Sequence, residues 1–339
     1  MTDTNQTSLK QPKSFWLVFF TLGLLFFIVG YVSLRFGAVT FSHDTLGDII
    51  QNPTDRSHLT LTFLNIRLPR VLATIIVGAA LAVSGAVMQG ITRNPIADPG
   101  LLGINSGAGL GLVVAYAFFH QLHYTSIILV CLSGSILASL MVFSLSYQIG
   151  KGYQQLRLIL TGAMVSTFLT ALGQAITTYF QLANRIIGWQ AGGFVAVNWQ
   201  MLYHIAPIIG FGLIMTQLLA HQLTILSLSE TRSKALGQNT LLLTIIFMAL
   251  VLLMASASVA LAGNISFLGL IIPHFVKALF PSTYQRRLPL IAISGATFMM
   301  AVDLICRTIN PPYETPLTAV ISLVGLPVFL WLVRKGGRE

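Results

Sequence analysis

Charge is scarce in this 339-residue chain: only 8% of residues are charged, and acids are the rarer sign, with 9 Asp+Glu against 19 Lys+Arg. Soluble proteins carry roughly 25% charged residues. So little charge, with 55% hydrophobic residues and a mean hydropathy of +0.81, excludes a soluble enzyme, a disordered chain and a nucleic-acid reader. The only cysteines, Cys131 and Cys306, sit in apolar stretches. They form neither a disulfide framework nor a metal motif and read as small packing residues. There is no G-x-x-x-x-G-K-[ST] loop, which excludes nucleoside triphosphate binding of the usual kind, and no H-E-x-x-H, G-x-S-x-G or Cys/His cluster.

Intramembrane acids are also nearly missing: Asp303 lies near the outer end of an apolar run and Asp98 in a turn. Ion-coupled carriers and intramembrane enzymes use buried carboxylates as relays and ligands. Their scarcity argues against both classes, and a transporter built this way would take its energy from a partner.

What is present is a series of long apolar runs. A helix needs about 20 apolar residues to cross a bilayer. Residues 15–34, 68–90, 124–148, 156–180, 199–220, 240–262, 288–309 and 316–334 meet that requirement. Two further segments are interrupted: 99–119 opens with Pro99-Gly100, and 265–280 is broken by Pro273. The first run is longer than the roughly 7–15 residues of a signal-peptide core and has no clear cleavage site, so it reads as a retained span.

Ten spans with the N-terminus inside place 13 of the 19 basic residues in the cytoplasm, as the positive-inside rule expects. The reading is an all-α, polytopic membrane protein. It has a cytoplasmic tail 1–14, one ten-helix domain 15–335 and a cytoplasmic tail 336–339, in the plasma membrane. The Arg67/Arg70 pair falls outside, against the trend.

The interrupted segments follow spans 2 and 7. An offset of five spans gives the halves opposite directions, so spans 2–5 and 7–10 read as an inverted repeat. Paired broken segments of this kind point to a transport path. Gly103, Gly107 and Gly111 form a small-residue ladder suited to close helix packing.

Three stretches carry a resemblance. The first is Arg67-Leu-Pro-Arg70, continuing through Gly78–Gly90 and Arg93-Asn-Pro-Ile-Ala-Asp-Pro-Gly100 to Gly107. The second is Ala260-Leu-Ala-Gly263-Asn-Ile-Ser-Phe267-Leu-Gly269-Leu-Ile-Ile-Pro273-His274. The third joins Asp303-Leu-Ile-Cys-Arg307 to Glu314, Pro316 and Gly325-Leu-Pro327-Val-Phe329. From about residue 15 to 335 the chain resembles the permease subunits of bacterial ABC importers for iron–siderophores and cobalamin.

The resemblance implies ten helices, a second identical or similar permease subunit, two ABC ATPase subunits and an extracellular binding lipoprotein. A ferric siderophore is the leading cargo, with haem or cobalamin as alternatives. No cofactor, metal or catalytic residue is implied. Arg67, Arg70 and Arg307 would meet acidic residues of the binding protein; the first two, at i and i+3, share one helix face, and arginine clamps carboxylates well.

Asn94 and Ile96 would narrow the cytoplasmic end of the pore, with Gln155 and Leu156 as the second constriction. Thr161, Ser166 and Thr170 would line the path on span 5. Glu230, Thr231, Arg232, Lys234, Ala235, Leu236 and Gly237 would form the loop that docks in the ATPase. The chain departs from the family pattern at Thr318, where glycine is usual, and in the segment Gly188–Phe194.

Overall fold

In lipid every backbone polar group must be satisfied within its own segment, which turns long apolar runs into helices. The computed structural model describes residues 15–119, 122–148, 152–153 and 155–336. Lys10 and Lys13 of the N-terminal tail, Lys151 and Arg338 lie outside the described residues.

Each expected run coincides with a helix: α1 Phe15–Arg35, α2 Leu68–Thr92, α3 Ile104–Phe118, α4 Tyr124–Ser146, α5 Gln155–Tyr179, α6 Trp199–Leu218, α7 Thr240–Ala262, α8 Leu268–Leu279, α9 Tyr284–Thr308 and α10 Leu317–Gly336. Among the described residues, seven helices are long and apolar enough to cross a membrane. The apolar stretches Ile104–Phe118, Leu268–Leu279 and Leu317–Val328 are shorter. Short helices at His43–Gln51, Ala183–Ala191, Ala220–Leu226 and Glu230–Ala235 join them, and Tyr147–Gln148 pairs with Gly152–Tyr153 in a two-residue ladder.

α2 is the axis of the fold, buried over most of its length, whereas α1 lies at the periphery. Its run of Gly and Ala lets neighbouring backbones approach closely, which is how helices associate where lipid removes the hydrophobic drive. A methyl group on Gly85 would overlap the Gly269 carbonyl at the start of α8. The ladder on α3 does the same: Gly107 lies against Gly134 of α4. Cys131 and Cys306 are both buried and unbridged.

The packing follows the inverted repeat. α2 lies against α7; α2 on α9 is matched by α7 on α4, α2 on α8 by α7 on α3, and α3 on α4 by α8 on α9. α3 on α5 likewise has its counterpart in α8 on α10.

One expectation is corrected. Pro273 does not break the second interrupted segment; it lies inside α8, and the interruption is the non-helical stretch 263–267 before it. A proline inside a helix removes the N–H that would bond the carbonyl four residues earlier. Here that carbonyl belongs to Gly269, and the Gln89 side chain donates to it at 3.1 Å. The same device recurs in α9, which begins four residues before its expected start. Pro289 leaves the Gln285 carbonyl without a helical partner, and Gln217 donates to it at 3.1 Å.

Candidate functional site

At the N-terminal end of α2 the chain adds a residue to the helical repeat. His58–Thr62 runs through a π turn, Phe63–Arg67, directly into α2. Extra-residue turns of this type re-aim side chains and collect at functional sites. Arg67 closes that turn, Arg70 stands in the first turn of α2, and the two side chains have different partners.

Arg67 turns toward the end of α1. It donates to the carbonyls of Leu34 (3.2 Å), Phe36 (2.7 Å) and Val39 (2.8 Å) and lies over the Phe41 ring. A Cβ at Gly37 would meet the guanidinium and make it shift.

Arg70 faces inward. Its Nε and Nη2 donate to the Asp303 carboxylate at 3.0 and 2.7 Å, and its Nη1 and Nη2 donate to Glu314 at 2.5 and 2.9 Å. Arg307, one turn beyond Asp303, donates through Nη2 to the carbonyl and hydroxyl of Ser33, both at 2.6 Å. Its Nε is 3.4 Å from Asp303, and its Nη1 finds no hydrogen-bond partner among the described residues.

The structure therefore gathers the three sequence-selected arginines with Asp303 and Glu314, but buries them. Arg67, Arg70 and Arg307 are 6%, 7% and 4% exposed, Asp303 is fully buried, and Glu314 is the member that reaches the surface. The lone intramembrane acid is thus committed to a structural pair. Asp303 and Glu314 stand 233 and 244 residues from Arg70. In the sequence both stood in the third stretch that carries the resemblance, but nothing there paired them with Arg70.

At the other end of α2, Arg93 caps the helix in the left-handed region (φ 52°). The Asn94 side chain accepts from Ile96 N at 3.1 Å, and Asp98 accepts from Gly100 N at 2.8 Å. Both are side-chain turns of the type that Asx residues favour, so the turn between α2 and α3 is braced. Ile96 is exposed at its tip, and Asn94 is half-buried. Beyond the turn Asn105 donates to the Ile265 carbonyl at 3.3 Å, which ties the two interrupted segments together.

On α5, Thr161 and Ser166 are half-buried and Thr170 is exposed. The backbone of Gln155 and Leu156 opens α5; their side chains lie outside the described set. The structure does not bring the α5 residues to the arginine cluster.

The loop before α7 forms the helix Glu230–Ala235, closed by Gly237 at φ 78°. A left-handed glycine after the last turn is a common helix stop. Ser233 is buried and bonds Gln238 at 3.2 Å. Glu230, Thr231, Arg232, Lys234, Ala235, Leu236 and Gly237 all point outward. Glu230 and Lys234 pair at 2.7 Å, and that hydrogen bond and charge hold the Glu230 carboxyl below its ordinary range.

A multi-pass helical membrane protein with two short helices that follow non-helical breaks, a braced turn and an outward-facing loop helix has the architecture of a transport permease. Residues 24–335 match the FecCD transport family, and the chain belongs to it. It is 35% identical over 319 residues to the iron(3+)-hydroxamate import system permease protein FhuB of Bacillus subtilis, covering 93% of this chain and 83% of that one. Identity to the Fe(3+)-citrate import system permease protein YfmD of the same organism is also 35%, over 97% of this chain and 98% of the other. A solved inward-facing structure of a metal-chelate type ABC transporter superposes with a TM-score of 0.82 at 29% identity, over 94% of this chain and 99% of that one.

Proposed function

We propose that the chain is the permease subunit of an ABC importer that carries a ferric siderophore across the plasma membrane by alternating access. The end-to-end match to iron-chelate permeases is the observation that carries this reading. The protein performs no covalent chemistry; it supplies a path and converts movement of separate ATPase subunits into helix movement.

In this reading ten helices cross the membrane and both termini are cytoplasmic, in keeping with the bias of basic residues. A second permease, identical or similar, covers α5 and α10. These two helices are related by the repeat and expose large apolar side chains such as Met164 (73%) and Leu323 (79%). Thr161, Ser166 and Thr170 line the path, and Asn94, Ile96, Gln155 and Leu156 close its cytoplasmic end.

Two ATPase subunits bind the Glu230–Gly237 helices of the pair. Its outward side chains favour that role, because the helix leans on its own chain chiefly through Ser233. A binding lipoprotein docks at the outer end of α2. The cluster there has three arginines against two acids, which favours an acidic partner, and Glu314 is the member at the surface where that partner would arrive.

The test is uptake of radioiron-labelled ferric hydroxamate and ferric citrate in a deletion strain carrying this chain. Replacing Glu230–Gly237 with a neutral Gly/Ser linker should stop uptake while the protein still reaches the membrane. Uptake that persists would refute the coupling role, and uptake of neither chelate by the intact chain would refute the cargo class.

A further inference from the structure

We infer that the end of α2 carrying Arg93 holds a phosphate-bearing anion in a cavity shared with α8 and α9. The cavity has a volume of about 230 Å³, and its polar lining includes Arg93, Ser227, Lys277, Tyr284 and Arg287. It is smaller than the roughly 300–1,000 Å³ of sites that take drug-sized ligands, and suits a single compact headgroup or ion.

Three elements converge to place the cations. Lys277 stands in the last turn of α8, Arg287 in the first turn of α9, and Arg93 just past the end of α2. No Asp or Glu lines the cavity. Glu230, which feels the charge of Arg93, is committed to Lys234 at 2.7 Å. Three like charges around one cavity repel one another unless a counter-charge enters.

Two details orient the cations, of which Arg93 and Lys277 are exposed and Arg287 is half-buried. Arg93 occupies a left-handed helix cap, where glycine is the unstrained residue. Its side chain is steadied there by donation from Nε to the Leu226 carbonyl at 3.2 Å. Arg287 lies over the Tyr284 ring, 4.4 Å from its centre, which orients the guanidinium. The guanidinium also hydrogen-bonds the Tyr284 side chain, and its buried Nε is left without a partner among the described residues. A buried guanidinium donor left unmatched is costly, and a phosphate oxygen is the acceptor that fits it.

The shared chemistry is a phosphate oxyanion, supplied either by an anionic phospholipid of the adjoining leaflet or by free phosphate. Native mass spectrometry of the full chain, purified in detergent with its accompanying subunits, reads the occupant. The probes are inorganic phosphate and phosphatidylglycerol, with phosphatidylcholine as control. Retention of phosphatidylglycerol over phosphatidylcholine assigns the site to lipid, and retention of phosphate alone assigns it to the free anion.

In either case Lys277→Gln and Arg93→Gly should each weaken retention about tenfold, the loss expected for one charge-assisted hydrogen bond. Arg93→Gly also relieves the left-handed backbone, so failure to fold does not obscure the result. Binding of neither probe, retention of phosphatidylcholine equal to that of phosphatidylglycerol with no phosphate bound, or retention unchanged in both variants would overturn the site. So would occupation of the cavity by an acidic side chain of the ATPase, read by cross-linking to Lys277.

Discussion

The Gln89 amide donates to the Gly269 carbonyl, the one acceptor in α8 that Pro273 deprives of its helical donor. Two helices that meet at the glycine contact of Gly85 and Gly269 are thereby joined by a hydrogen bond as well as by packing. Gln217 and the Gln285 carbonyl repeat the relationship for Pro289. In each case a proline that would weaken one helix creates the acceptor that ties it to another.

Gln89→Leu should therefore lower the melting temperature of the purified protein, by a stability loss of about 1–3 kcal/mol for a buried carbonyl left unpaired. Adding Pro273→Ala restores the missing backbone donor. The double variant should then recover much of the loss. Equal melting of Gln89→Leu and the double variant would refute the link between the two residues.

Asp303 holds Arg70 and stands beside Arg307 in a buried setting. Asp303→Ala leaves Arg307 with no neighbouring carboxylate and Arg70 with Glu314 alone, and breaking a buried pair costs about 3–5 kcal/mol. Glu314→Gln keeps a hydrogen-bond acceptor and lies partly in solvent, so it should cost far less. Thermal unfolding in detergent checks the order, and a Glu314→Gln variant as unstable as Asp303→Ala would contradict it.

Gly85→Val should be among the most disruptive single changes in the membrane domain. Its side chain would meet the Gly269 backbone directly, which cannot move without shifting α8. Overpacking of a core typically costs about 1–3 kcal/mol, and a backbone neighbour places this site at the upper end. The readout is yield of folded protein, with the helix-surface variant Gly23→Val as control, since nothing lies near Gly23.

The Glu230–Lys234 pair makes a pH prediction for the loop helix. The folded carboxyl titrates below its unfolded value, so the stability it lends is present above the ordinary carboxylate range and is lost as pH falls through the lowered value. Hydrogen exchange of Glu230–Ala235 should quicken in acid relative to the same segment in Glu230→Gln, after correction for intrinsic rates. Identical pH dependence in both would remove the pair as the cause.

How much of this was legible in the sequence depended on range. The apolar runs announced their helices because lipid permits few alternatives, and the Gly107 ladder announced its contact because only small residues allow it. The partners of Arg70 were not legible, since nothing local in Asp303 or Glu314 names an arginine more than two hundred residues away. Pro273 misled for a related reason: its usual effect is cancelled by a glutamine on another helix. The i, i+3 spacing of Arg67 and Arg70 did not foretell their separate partners, because two long arginine side chains from one helix end reach different groups.

The π turn at Phe63–Arg67 also sets how the segment before α2 is phased against α2 itself. One residue of an α-helix corresponds to about 100° of rotation. Deleting a single residue from Phe63–Arg67 would restore a regular helix, yet swing His58–Thr62 by roughly that angle relative to Arg70. The Trp199 indole, which donates to the Leu64 carbonyl at 2.9 Å, would lose its acceptor in the same step. The segment before α2 is thus keyed to the membrane domain by one surplus residue, and a deletion there would act as a change of angle more than a change of length.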